Sequence, residues 1–82
     1  MQKLRNAPDF GANLRALRLA SGLTQEQTAA KLQVAGFDVS RSIYSQMERG
    51  TYNIRVEELA ALRRIFSASY DDFFRGIGEN ME

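Results

Sequence analysis

An all-α fold, a compact bundle of five short helices, is what this 82-residue sequence predicts. Two observations carry that expectation. Apolar residues recur three and four apart along most of the chain, the period of a helix buried on one face. Four of the five periodic stretches also open on a capping residue or close on glycine, marking where a helix starts and stops. Strand-type alternation of useful length, internal repeats and low-complexity segments are all absent from the sequence.

The first helix opens at Asn6-Ala7-Pro8-Asp9, where Asn can cap, Pro fits the first turn and Asp complements the helix dipole. Phe10, Leu14, Leu17 and Ser21 follow one stripe, and Gly22 ends it. Thr24-Gln25-Glu26-Gln27 reads as a capping box, Thr24 being the N-cap and Gln27 the reciprocal partner. The second helix runs through Thr28, Ala29 and Leu32 to about Ala35, where Gly36 stops it. Ser40 caps a third, short helix with Tyr44 and Met47 on one face, ended by Gly50. Thr51-Tyr52-Asn53 is a loop. Val56, Leu59, Leu62 and Phe66 form the stripe of a fourth helix. Ser69-Tyr70-Asp71-Asp72 repeats the capping pattern and opens a fifth helix of one or two turns, bearing Phe73 and Phe74. A single domain over 1–82 follows, with an ordered core of about 8–75 and flexible tails at 1–6 and 76–82.

Composition narrows the chemistry. A chain this short buries only about 60–65% of the surface its unfolded form exposes, which leaves no room for a large ligand cavity. There is no Cys, no His and no Trp. Without Cys there is no disulfide framework or zinc finger, and without His the commonest metal ligand and general base are missing. No cofactor or metal is therefore expected. Arg or Lys interrupts every apolar run before the roughly 20 residues of a membrane span, and Met1-Gln2-Lys3-Leu4-Arg5-Asn6 leads into no signal-peptide core. A small cytoplasmic binding module is the expectation. Adjacent carboxylates occur at Glu57-Glu58 and Asp71-Asp72, but neighbours on a helix point about 100° apart and make no catalytic dyad. These acids suit helix N-termini, and no enzymatic activity is expected.

Net charge is +1, and its distribution says more than its size. Residues 1–50 carry seven basic and four acidic side chains; residues 51–82 carry four basic and six acidic. A basic half backed by an acidic half fits a polyanion-binding face, and fits an ordinary mixed surface as well. Nine of the eleven basic residues are Arg, the side chain suited to planar, two-pronged recognition of phosphate or guanine.

Two successive segments carry a resemblance. Gly22-Leu23-Thr24-Gln25-Glu26-Gln27-Thr28-Ala29 is followed by Ser40-Arg41-Ser42-Ile43-Tyr44-Ser45-Gln46-Met47-Glu48-Arg49-Gly50. Together with Arg18, Leu32, Val39, Leu59, Leu62 and Phe66, in that order, they resemble the helix-turn-helix of the phage repressor/Cro-like (XRE-type) transcriptional regulators. The resemblance covers about Phe10 to Phe74. It implies a lambda-repressor-like DNA-binding domain, with the third helix in the major groove of a duplex. Arg41, Ser42 and Gln46, with Ser45 less central, are then base-reading candidates. Ile43 sits where the family often has a DNA-facing Thr, and two roles stay open: contact with a thymine methyl, or packing into the neighbouring loop. Gln25, Arg49, Thr51, Asn53 and Arg55 are candidate phosphate contacts. Arg18 and Glu48 match the family's structural Arg–Glu pair. The resemblance further implies a homodimer on a pseudo-palindromic operator, in the role of a repressor.

Departures from the family pattern are specific. The family usually leaves one residue between the positions of Leu32 and Val39, whereas six stand here, Gln33 to Asp38. A longer second helix and a Gly-containing loop anchored by Phe37 are expected, as in a subset of the family. Thr28 replaces a usual Leu, Arg55 stands where Ser or Thr caps the fourth helix, and Tyr44 replaces an aliphatic core residue, so its hydroxyl needs a partner. Phe66, Tyr70, Phe73, Phe74 and Ile77 form an aromatic-rich cluster divided between core and interface. The near-neutral charge also leaves a second class open, a protein-interaction module of antitoxin-like or anti-repressor-like kind.

Overall fold

The computed structural model describes the backbone of Lys3–Leu4 and residues 8–77. Five helices follow in order: α1 (Pro8–Ala20), α2 (Gln25–Val34), α3 (Arg41–Arg49), α4 (Val56–Ile65) and α5 (Tyr70–Phe73). The fold is the all-α bundle expected, with one addition. Strand β1 (Lys3–Leu4) pairs antiparallel with β2 (Ile54–Arg55), Lys3 opposite Arg55 and Leu4 opposite Ile54. Two residues are too few for an alternating pattern to register in a sequence. The Asn6 cap, most of the 1–6 tail and residues 78–82 lie outside the described residues, while Ile77 donates its N–H to the Phe74 carbonyl at 3.0 Å.

Local chemistry sets the boundaries. Thr24 Oγ1 accepts the Gln27 N–H at 3.0 Å while Gln27 Oε1 accepts the Thr24 N–H at 2.9 Å, closing the capping box at α2. Ser40 Oγ accepts the Ile43 N–H at 3.1 Å and opens α3. Gly50, at φ 80°, reverses the chain at the other end of α3, a left-handed conformation that glycine adopts without a Cβ clash. The Ser69–Asp72 box opens α5, which is a single turn.

The core is one cluster of Phe10, Leu14, Ala29, Leu32, Val39, Tyr44, Met47, Ile54, Leu59, Ala61, Leu62, Phe66 and Phe73, with contributions from all five helices. Fully burying a large aliphatic or aromatic side chain is worth about 1.5–3 kcal/mol, so this cluster rather than helix propensity holds such short helices. Phe10 stacks on Phe73 at 6.2 Å and meets Phe74 at 5.2 Å, tying α1 to α5. Phe66 and Phe73 are core, whereas Tyr70 and Phe74 remain exposed, which divides the aromatic cluster. Thr28 is fully buried where the family has Leu; its hydroxyl donates to the Thr24 carbonyl at 2.9 Å, so no polar atom is orphaned there.

Helix α1 approaches the end of α3 so closely that a Cβ on Gly11 would run into the Met47 and Glu48 backbone carbonyls. Glycine inside a helix costs about 1 kcal/mol relative to Ala, and this close crossing is what it permits here. Asn13, two residues on, donates to the carbonyls of Phe73 and Arg75 at 2.9 Å each and fixes the C-terminal turn against α1.

The extended connection between α2 and α3 has the expected form. Phe37 is half-buried against the core, and its N–H donates to the Leu32 carbonyl at 3.0 Å. Gln33 Nε2 donates to the Val39 carbonyl at 2.9 Å, so the loop is laced back to the helix that precedes it. These contacts set where Ser40 starts α3.

Candidate nucleic-acid interface

Helix α3 is buried along one side and polar along the other. Tyr44 and Met47 are fully buried, while Arg41, Ser42 and Arg49 are exposed and Ser45 and Gln46 half-exposed. Arg41, Ser42, Ser45 and Arg49 line one shallow surface groove. Arg41 borders a second groove with Thr24, Gln25 and Glu26, so the start of α3 and the start of α2 share a concavity. The Arg41 side chain makes no hydrogen bond or ion pair among the described residues. Arg49 Nη1 donates to Ser45 Oγ at 3.4 Å. Ile43 is half-buried and packed on the core, which gives the loop-packing reading its contact without removing the side chain from the surface.

Behind this helix lies a charged cluster that orients it. Arg18 Nε donates to Glu48 Oε2 at 2.5 Å, Nη2 donates to Oε1 at 3.2 Å, and Nη1 donates to the Leu23 carbonyl at 2.8 Å. The side chains of Arg18 and Glu48 are 9% and 4% exposed, so the pair is buried. Gln25 Nε2 completes the carboxylate at 3.0 Å from Oε1. Hydrogen bonding to Glu48 holds the Arg18 guanidinium above its ordinary pKa against the opposing effect of burial. Burial pushes the Glu48 carboxyl up, but Arg18, the neighbouring Tyr44 hydroxyl and Gln25 more than reverse this and hold it below its ordinary range. Burial also raises the Tyr44 hydroxyl pKa, with the nearby Glu48 carboxylate adding to it. The partner expected for that hydroxyl is not supplied among the described residues: the oxygen is buried near Glu48 without a hydrogen bond.

Beyond α3 the chain turns through a loop with a second buried carboxylate. Thr51 donates its N–H at 3.0 Å and its hydroxyl at 3.3 Å to the Gln46 carbonyl, closing the helix end. Glu58, in the first turn of α4, is 2% exposed. Its Oε1 accepts the Arg55 N–H at 2.9 Å and its Oε2 accepts the Tyr52 hydroxyl at 3.2 Å. Arg55 is the N-cap of α4, its side chain exposed and making no capping bond, as a cation in a Ser or Thr position must be. Thr51 and Asn53 are exposed alongside it.

Of the residues expected from the sequence, Arg41, Ser42, Ser45 and Arg49 line one groove and Arg41 shares another with Gln25, whereas Thr51, Asn53 and Arg55 are exposed on the segment after α3 and the Arg18–Glu48 pair is buried. Gln25 has a use that sequence reasoning missed: one amide hydrogen is committed to Glu48, which leaves the other for an external acceptor. Gly11, Asn13, Gln33, Tyr52 and Glu58 were also missed. A glycine and an asparagine inside an otherwise helical stripe were the available signals for the first two. Among the described residues no helix is long and apolar enough to cross a membrane, and no three His, Cys, Asp or Glu side chains converge as metal ligands would.

This architecture has a family. A profile described as a helix-turn-helix domain matches residues 9–73, nearly the whole described chain. The chain belongs to the helix-turn-helix family. The crystal structure of the clp gene regulator ClgR from C. glutamicum is similar, with a TM-score of 0.70 and 30% sequence identity. The likeness covers 80% of this chain and 78% of that one. No curated protein sequence is similar enough to match. In helix-turn-helix terms α2 and α3 are the paired helices, joined here by an extended turn, and α1, α4 and α5 are the scaffold that holds them.

Proposed function

We propose that this chain is a transcriptional regulator that binds a specific double-stranded DNA sequence, with α3 in the major groove. One observation carries the reading. Helix α3 is locked from behind by buried Tyr44, Met47 and Glu48 while it exposes a row of donors and acceptors, Arg41, Ser42, Ser45, Gln46 and Arg49, on a rigid surface. A major groove about 12 Å wide admits one helix, and such side chains match the donor and acceptor patterns of base edges there. Membership of the helix-turn-helix family and the likeness to a gene regulator support the same conclusion.

Roles follow from position. Arg41, in the first turn, is the base reader that two-pronged geometry suits best, on the O6 and N7 of a guanine. Ser42 and Gln46 read neighbouring bases, Ser45 assists, and Ile43 offers an apolar edge to a thymine methyl. Gln25, Arg49, Thr51, Asn53 and Arg55 contact phosphates on either side. Arg18 is neutralised internally and contributes nothing to DNA attraction. The assembly is a homodimer acting as a repressor on a pseudo-palindromic operator, its half-sites about 34–36 Å apart. Selection of bound duplexes from a random pool tests this. Recovery of a two-fold symmetric motif supports both the function and the dimer. Absence of enrichment, with a protein partner co-purifying in equal amount, would replace this reading with the interaction-module one.

A further inference from the structure

Glu58 has no role in the DNA contacts proposed above, yet among the described residues it is a second buried carboxyl group, and neither salt bridge among them involves it. Among the described residues its hydrogen-bond partners are both on the segment between α3 and α4: the Tyr52 hydroxyl at 3.2 Å and the Arg55 backbone N–H at 2.9 Å. A carboxyl group at 2% exposure needs such donors, because burying its oxygens without hydrogen bonds is costly. The dependence runs the other way as well. The segment Thr51 to Arg55 contains only the two-residue strand β2, and its exposed members Thr51, Asn53 and Arg55 lie on either side of Tyr52 and Ile54, which point inward. Ile54 is fully buried and Tyr52 packs against the core. Alternation of inward anchors with outward polar residues is the arrangement by which a loop can be held while presenting its donors.

We infer that Glu58 is the positioning residue of the phosphate-facing loop: through Tyr52 and the Arg55 backbone it fixes Asn53 and Arg55 for contact with the DNA backbone, while Thr51 is held by the end of α3. The inference rests on the DNA-binding reading. It adds that the loop is preorganised by a side chain that never touches DNA. Preorganisation raises affinity by removing the ordering cost at binding, so its loss weakens phosphate contacts without altering base preference.

Tyr52→Phe removes only the hydroxyl and keeps the packed ring; Glu58→Gln keeps the shape and removes the charge. Both are compared with the unmodified chain on a selected duplex and on a random duplex, over a series of salt concentrations, with thermal melting alongside. The expected result for Tyr52→Phe is a lowered melting temperature and, at a temperature where both chains are folded, binding weakened about three- to tenfold on both duplexes with the ratio between them unchanged. Glu58→Gln lowers affinity in the same sequence-independent way. Equal affinity of Tyr52→Phe and the unmodified chain overturns the inference, as does a loss confined to the selected duplex. If the unmodified chain binds neither duplex, the DNA reading falls and takes the inference with it. If Arg49→Ala weakens binding and Tyr52→Phe does not, only the inference falls.

Discussion

At the scale of single residues, two buried interactions decide the geometry of the site. Arg18 and Glu48 form a two-pronged pair out of water, and removing one member leaves the other charged and unpaired, at a cost of about 3–5 kcal/mol. Arg18→Ala should therefore lower the denaturation midpoint sharply, whereas an unchanged midpoint would mean the pair does not hold α1 to α3. The carboxyl of Glu48 titrates below its ordinary value in the folded chain. Its contribution is thus fully present above the unfolded carboxyl pKa of about 4.3 and is lost as pH falls through the lower folded value. Melting curves from neutral pH down to acid should show that loss, and it should be smaller in Arg18→Ala. Gly11 sets a second test. Helix propensity alone would make Gly11→Ala stabilising by about 0.8–1 kcal/mol. The clash of the new Cβ with rigid backbone carbonyls outweighs that, since overpacking costs about 1–3 kcal/mol or more where nothing can yield. Urea denaturation should find the variant destabilised; a raised midpoint would show that α1 and α3 can separate without penalty.

At the scale of elements, we propose that the two ends of α3 play different parts on DNA. Arg49, at the end of α3, faces outward beside Ser45, while Arg41 opens the helix. Arg49→Ala should weaken all duplexes alike and reduce the slope of log affinity against log salt by about one. Arg41→Ala should instead cost about 1–3 kcal/mol on the selected duplex and relax preference at one base pair. A variant of Arg49 that changed sequence preference, or one of Arg41 that did not, would exchange their roles. Much at this scale was legible in the sequence. The caps at Thr24, Ser40 and Ser69 and the reversal at Gly50 are decided by residues three or four apart, and the capping residues stand where they were expected. Phe37 was legible as an anchor because a lone aromatic in a polar loop has few other uses. The bracing of the site was not legible. Gln25 meets Glu48 across 23 residues and Asn13 meets Phe73 across 60, and neither pairing is encoded by local spacing. Tyr52 and Glu58 are only six apart, but across a helix boundary, where no period relates them.

At the scale of the whole molecule, the weak net charge of +1 conceals a division of labour. Arg18 is consumed inside by Glu48, and Arg75 is engaged with Asp72 at 2.6 Å on the far end of the chain. Arg63 lies over the Tyr70 ring at 5.2 Å. Arg15, Lys31 and Arg64 are exposed singly on α1, α2 and α4, whereas Arg41, Arg49 and Arg55 are exposed on α3 and the segment after it, with Arg41 and Arg49 lining a groove. Attraction for a polyanion is thus local rather than global, and binding should be steeply salt-dependent even though the chain as a whole is nearly neutral. The central claim, that α3 reads the major groove, is tested most directly by methylation interference on a selected duplex. Methylation of guanine N7 projects into the major groove and that of adenine N3 into the minor groove. Interference is expected at guanine N7 within each half-site, with one such position lost in Arg41→Ala. Interference confined to adenine N3, or absent altogether while binding persists, would contradict a recognition helix in the major groove.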